Sequence, residues 1–388
     1  MTTLAPRSIH AQHILDETYG VEPRPYQIRT VDKVLDHYLE GLPSVLIESA
    51  TGSGKTVMGL VIAKALNGMG LTVGWCAMRR NLLTQAEDSN REKNIKADIK
   101  TFSMFDKNPP KVDVIIVDEA HHDACSSMAT IHAAVNPKFI VGLSATPQRH
   151  DKVGLVFRKT VKEAGLYDLV RDQYLAKADL FMVKNWTPET VAKTYLERPE
   201  HWGKSLMFFR TEDLCREAEA RLSAEGIPVA VVTGKTDKMK QLEDFEAGLY
   251  DVLISMNVLT EGFDCPALET VFVRPTVKGL TMQMAGRVLR KHGKTKKKIV
   301  QSVDTENPFS AIAPVGRQHI KEDDRWTSMA EADRVTSEIR RIKRELVEEG
   351  KTGHLKTLEA LKSGLGIAEN EVLRKSEFKK SRRPHWAA

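Results

Sequence analysis

Ser49-Ala50-Thr51-Gly52-Ser53-Gly54-Lys55-Thr56 directly follows the apolar run Val45-Leu46-Ile47 and opens a stretch whose apolar residues recur at helical spacing. Strand, Gly-rich loop and helix in that order read as a phosphate loop. Thr51, Gly52, Ser53 and Gly54 are small enough for successive backbone amides to curl inward, Lys55 can reach the outer phosphates, and the Thr56 hydroxyl is placed to hold Mg²⁺. The bound anion then sits at a helix N-terminus, where unpaired N–H groups and the helix dipole favour it. Ser49 stands where the usual pattern has Gly or Ala.

Upstream, Arg24-Pro25-Tyr26-Gln27 starts a helix with Pro25 at a tolerated early position. The Gln27 amide both donates and accepts, as an adenine edge requires, and Arg24 or Tyr26 offers a stacking surface. Downstream, strands expected at 72–76, 97–101 and 112–117 alternate with helical spacing, the rhythm of a parallel sheet covered on both faces. The run at 112–117 ends in Asp118-Glu119-Ala120-His121, which places two carboxylates at the carboxyl end of a strand, where ligands bind in such sheets. Asp118 can hold Mg²⁺ and Glu119 can orient and deprotonate an attacking water. The next strand, 138–143, runs into Ser144-Ala145-Thr146-Pro147, whose hydroxyls can bond the acids behind them.

After residue 179 a second set of alternating elements follows, without a phosphate loop. A helix at 280–290 would put Arg287 and Arg290 on one face, suited to a γ-phosphate held across a cleft. The expected organisation is α/β: a first unit over 1–155, a connection over 156–178, a second unit over 179–306 and a helical, basic extension over 307–388. Within that extension Met329, Ala332, Val335, Ile339, Ile342 and Leu346 recur at helical spacing.

Two domains and a tail suit a chain of 388 residues. No apolar run approaches the roughly 18 residues of a membrane span, and residues 1–10 lack a signal-peptide core, so a soluble cytoplasmic protein is expected, compatible with a bacterial or phage-infected cell. The four cysteines are widely spread, which suggests buried thiols; His121, His122 and Cys125 lack a fourth ligand for zinc. Net charge is +6, but its distribution says more: Arg287, Arg290, Lys291, Lys294, Lys296, Lys297 and Lys298 run without an acid among them, and 374–383 is also basic. Two such clusters beside a nucleotide site favour a polyanionic partner.

This ordered set of motifs resembles the superfamily 2 helicases and translocases over roughly residues 24–303. Arg24 to Gln27 looks like the adenine-reading motif, Ser49 to Thr56 like motif I, Asp118 to His121 like a DEAH-type motif II, Ser144 to Pro147 like motif III, Thr260 to Asp264 like motif V and Gln283 to Arg290 like motif VI. The resemblance implies two tandem RecA-like domains with ATP and Mg²⁺ between them. It also implies arginine fingers at Arg287 and Arg290, a coupling contact from Gln283 to His121, and Gly262 and Asp264 near the nucleotide. A nucleic-acid path is implied at Arg79 and Arg80, Thr101 and Phe102, Phe209 and Arg210, Thr233 and Gly234, and Thr260. The wording of motifs III and V is similar to the branch that holds RadD-like and XPB-like repair motors and restriction-enzyme motor subunits. DNA is therefore favoured over RNA and a monomer is expected, with the tail a candidate surface for a protein partner. An RNA helicase, an ATP-gated binding or annealing protein, and a duplex translocase that separates no strands are the rival readings.

Overall fold

The computed structural model describes residues 22, 24–122, 126–145, 155, 157–260, 265–322 and 325–329. In the first part, α1 (Pro25–Leu39), β1 (Ser44–Glu48), α2 (Lys55–Gly68), β2 (Val73–Ala77), α3 (Arg80–Glu92), β3 (Ile99–Ser103), β4 (Val114–Asp118), α4 (Ser126–Val135), β5 (Phe139–Ser144) and β6 (Lys159–Val161) succeed one another. The strands form a parallel sheet in the order β3-β2-β4-β5-β1-β6. Every residue of β2 and β4 is buried, which explains why these strands read as unbroken apolar runs: helices cover both faces.

Register carries the chemistry. Glu48 at the end of β1 pairs with Ser144 at the end of β5, and Asp118 at the end of β4 pairs with Leu143. The loop after β1, the acids after β4 and the hydroxyl closing β5 thus emerge side by side at one edge of the sheet.

The second part contains α5 (Leu166–Arg171), β7 (Asp179–Val183), α6 (Pro188–Leu196), α7 (Pro199–Trp202), β8 (Ser205–Phe208), α8 (Glu212–Ala224), β9 (Val229–Val232), α9 (Lys238–Glu246), β10 (Val252–Ser255), β11 (Thr270–Val273), α10 (Lys278–Gly286), β12 (Lys298–Ser302), β13 (Gln318–Glu322) and β14 (Arg325–Ser328). Its sheet runs β14-β13-β7-β12-β11-β8-β10-β9, parallel except for the β13–β14 hairpin. Local signals place its helices: Thr187 and Thr211 cap α6 and α8 by accepting from Thr190 and Leu214 N–H groups, and Pro188 sits at the first turn of α6. The fold is therefore α/β with two parallel-sheet units, consistent with tandem RecA-like domains.

Three expectations are corrected. The stretch 307–328 is not simply loop and helix, because β13 adds to β7 and β14 returns beside it. Within 156–178, β6 completes the first sheet instead of serving as connection. The helix expected over 280–290 ends at Gly286; N–H groups of Arg287, Val288 and Leu289 bond carbonyls three residues back, so the last turn tightens and the chain leaves the helix. The strands expected at 72–76, 97–101 and 112–117 begin one or two residues later. The helical spacing expected from Met329 to Leu346 lies, after Met329, outside the described residues.

Cys76, Cys215 and Cys265 are buried free thiols, as expected, and burial pushes Cys215 up to about 11. Among the described residues no cluster of three or more His, Cys, Asp or Glu side chains could hold a metal, and no helix is long and apolar enough to cross a membrane.

Gly59 lies in α2 where a Cβ would meet the Trp75 ring at 2.8 and 2.9 Å and a Leu143 methyl at 3.0 Å. Ala would gain about 1 kcal/mol of helix propensity, but crowding a buried indole costs about 1–3 kcal/mol. Gly59→Ala should therefore lower the urea midpoint of unfolding; a raised midpoint would show that Trp75 has room to yield.

Candidate functional site

Ser53 is the pivot of the loop. Its carbonyl accepts from the Tyr26 hydroxyl at 2.6 Å and from Gln27 Nε2 at 2.9 Å, while Gln27 Oε1 accepts from the Arg24 N–H at 3.3 Å. Pro25 starts α1 so that Tyr26 and Gln27 fall in its first turn, aimed at the loop. Both ends of the Gln27 amide are thus engaged within the protein. Gly52 and Gly54 have φ of +79° and +86°, a left-handed conformation that costs other residues about 1–2 kcal/mol. At Gly54 a Cβ would also lie 2.4 Å from Gln27 Nε2.

Lys55 is partly buried at the start of α2, and Thr56 follows it. Its ammonium finds the Ala50 carbonyl at 3.5 Å, too long for a good hydrogen bond. Burial lowers its pKa, Glu119 and Asp118 oppose the shift, and Arg287 and Arg290 add to it. A cation held this way, with two acids and two further cations around it, fits a polyphosphate with a divalent metal: the acids suit the metal and the cations suit the phosphates. The Ser53 hydroxyl is buried in the loop without a hydrogen-bond partner, so the loop carries spare polar capacity.

The acids are held tightly. Asp118 Oδ1 accepts from the Glu119 N–H at 3.0 Å, and Glu119 has φ of +51°, an uncommon conformation for a side chain of its size. Strain of this sort persists where the surroundings over-determine it. His121 Nδ1 lies 3.4 Å from Glu119 Oε2 and 3.4 Å from Ser144 Oγ, so the end of β5 reaches the acid pair through the histidine. Thr146, Gly262 and Asp264 lie outside the described residues.

From the second unit, Gly286 comes so near that a Cβ there would sit 3.2 Å from Thr51 Cβ. Gln283 is buried one turn earlier on α10. Arg287 is buried and donates through Nη2 to the Thr260 carbonyl. Arg290 packs its side chain beside Gly52, and burial pushes it down to about 10. The two arginines reach the loop from a tightening turn and the bend after it, not from one helical face.

Sequence reasoning missed the segment between the two units. Tyr174 meets Tyr26 edge-on at 5.4 Å and lies under the Arg24 guanidinium at 5.5 Å, Leu175 packs on Gly52, and the Ala176 N–H donates to the Leu289 carbonyl at 2.7 Å. Tyr26 and Ala50 share an apolar cluster with Leu175, Met284, Ala285 and Leu289. An isolated Tyr-Leu pair in a connecting stretch gave no signal for this.

The expected nucleic-acid path is brought together only in part. Arg80 and Arg210 are exposed, and Gly234 is exposed with no atom near its Cβ position. Arg79 Nη1 lies 3.4 Å from the Val258 carbonyl in the second unit. Thr101 donates to Glu87 at 2.6 Å, Thr260 to the Asn257 carbonyl at 2.6 Å, and the Thr233 hydroxyl accepts from the Lys235 N–H. Phe102 and Phe209 are corrections: both rings are buried in the cores, Phe102 from within β3 and Phe209 from the residue that follows β8, so neither ring is offered to a ligand. Arg274, also missed, lies buried beneath the 257–260 turn with Nη2 donating to Asn257 Oδ1 at 3.1 Å.

Residues 20–108 and 97–149 match the family described as type III restriction enzyme, res subunit, and residues 187–292 match the helicase conserved C-terminal domain. The chain is 26% identical to the putative ATP-dependent helicase IRC3 of Saccharomyces cerevisiae, over 69% of this chain and 49% of that protein. It is also 26% identical to the putative mitochondrial ATP-dependent helicase irc3 of Schizosaccharomyces pombe, over 71% and 56%. The chain thus spans about half the length of these relatives. Its fold is shared with the DNA-bound type ISP restriction-modification enzyme LlaBIII (TM-score 0.52, 18% identity, 72% of this chain and 27% of that one). It is shared too with Dbp5 of S. cerevisiae bound to RNA and ADP BeF3 (TM-score 0.53, 16% identity, 82% and 98%).

Gly54→Ala should abolish tight nucleotide binding, because the left-handed backbone and the Gln27 contact both oppose a side chain. Titration with a fluorescent ATP analogue reads it. Gly54→Ala combined with Gln27→Ala relieves the contact alone, so it should recover little; full recovery would show that the backbone conformation does not matter.

Proposed function

Because the chain is a superfamily 2 helicase related to the restriction-enzyme motor branch, we propose that it couples ATP hydrolysis to movement along, or unwinding of, DNA in repair, recombination or replication. The observation that carries the reading is the surroundings of Lys55: acids of the first unit and arginines of the second act on one ammonium. A site assembled from both units makes and breaks when they close and open, which is how hydrolysis becomes motion.

In this reading Lys55 and the loop amides hold the outer phosphates, and Arg24 with Tyr174 offers a stacking surface for the base. Bound Mg²⁺ would be held by Thr56 and by Asp118 through water and would neutralise charge on the outer phosphates. Glu119 orients the attacking water and takes its proton, with His121 and Ser144 setting its position. Arg287 and Arg290 stabilise charge growing on the γ-phosphate. Arg287 already donates to the Thr260 carbonyl, so the turn that carries the nucleic-acid contact and the arginine that meets the phosphate share one bond. Gln283 couples the two units, with His121 as its partner. Exposed Arg80, Arg210 and the backbone at Gly234 grip the strand by its phosphates, without reading sequence. The restriction-enzyme family match supports DNA as the track.

The test is steady-state ATP hydrolysis with Mg²⁺ alone and then with single-stranded DNA, duplex DNA, a forked duplex or RNA. DNA should stimulate more than RNA; the reverse would make the track RNA, and no stimulation by any would remove the motor. Glu119→Gln should keep ATP binding and lose turnover, whereas Lys55→Ala should lose both. Arg287→Ala should slow turnover about 10³-fold with binding largely kept; unchanged turnover would place the second unit outside the chemistry.

A further inference from the structure

The basic stretch after Arg290 does not form one solvated face. Lys297 is 2% exposed, with Nζ donating to the Pro266 and Leu268 carbonyls at 2.8 and 2.5 Å, and Lys298 is buried 3.7 Å from Glu269. Lys294 and Lys296 are exposed and open onto a cavity of about 840 Å³, within the roughly 300–1,000 Å³ of ligand pockets.

Exposed Arg198 and Arg317 complete its cationic rim, and among the described residues none of these four cations closes an ion pair. Of the three acids in the lining, Glu269 faces Lys298, Asp179 accepts from the Arg317 N–H at 2.7 Å, and Glu200 is exposed, two residues after Arg198 in the sequence. The wall is aromatic: His319 stacks on Phe181 at 4.7 Å and 15°, and Trp326 stands edge-on to Phe181 at 5.2 Å. Burial lowers the pKa of His201 beside them, and Lys298, Arg198 and His319 lower it further against the opposing Asp179. These groups gather at the beginnings of β7, β11, β12 and β13, whereas the nucleotide site follows the ends of β1, β4 and β5.

We propose that this cavity is a second nucleic-acid site, taking one nucleotide of a single strand with its phosphate among Arg198, Lys294, Lys296 and Arg317 and its base against His319 and Trp326. Cations beside flat rings are what an unpaired nucleotide needs: the cations meet its backbone charge and the rings meet a base that no partner strand covers. Duplex DNA, its bases already stacked, would engage the rim alone. The inference rests on the reading of the chain as a nucleic-acid motor, and it gives that motor a hold on the strand away from the cleft.

The test irradiates the full chain with a short single strand carrying 5-iodouracil and maps the crosslinks by peptide mass. A crosslink at His319 or Trp326 is expected, lost in Lys294→Glu combined with Lys296→Glu. In that variant the slope of log affinity against log salt should become shallower by about 0.7, the value for one phosphate contact of a single strand, with maximal ATP hydrolysis unchanged. Crosslinks found only elsewhere, with an unchanged slope in the variant, overturn the site; strand-stimulated hydrolysis would then still support the motor. A crosslink at Trp326 without stimulated hydrolysis keeps the site and removes the motor.

Discussion

Two side chains of one helix turn hold one carbonyl, and the nucleotide site depends on it. Tyr26 and Gln27 both donate to the Ser53 oxygen, which fixes the loop in the left-handed path that only Gly52 and Gly54 tolerate. The Arg24 guanidinium donates in turn to the Tyr26 hydroxyl at 3.1 Å, and a network linked in this way is rigid. Lys55 is then held at the start of α2, its ammonium 3.5 Å from the Ala50 carbonyl and within the field of Glu119 and Asp118.

The same network joins the two units. Tyr26 meets Tyr174 edge-on, Tyr174 leads to Leu175 on Gly52, and Ala176 bonds Leu289, one residue before Arg290. The connection is therefore part of the site. Its apolar contacts are shared with Met284 and Ala285 of α10, so a change in how α10 sits alters both the loop's wall and the position of the arginines. The close approach of the two units here is permitted by Gly286, whose missing side chain leaves room for Thr51.

The 257–260 turn is the other junction. Its carbonyls accept from Arg79 of the first unit and from Arg287, while Arg274 supports it from below through Asn257. Polar contacts from both units thus meet at one short segment between a sheet end and the nucleotide site.

Much of this was legible from residue order. The phosphate loop, the Asp118-Glu119 pair and Ser144 each follow an apolar strand, and a parallel sheet brings strand ends to one edge whatever the helices between them do; strand-then-motif is enough to infer neighbours. Capping and early prolines likewise set where helices begin, since those signals act within four residues. What the sequence could not decide was direction over longer range. Phe102 sits beside a motif residue yet points into the core, because a strand side chain's face depends on register with its neighbours, not on its place in a motif, and Phe209, just past the end of β8, is buried too. Lys294 to Lys298 look alike as letters, but the start of β12 buries two and leaves Lys294 and Lys296 at a cavity rim. Tyr174 acquired its place only when the chain folded back over the loop, since a contact across 148 positions of sequence leaves no local trace. Composition and spacing determined which chemistry the chain carries; packing decided which of those side chains face it.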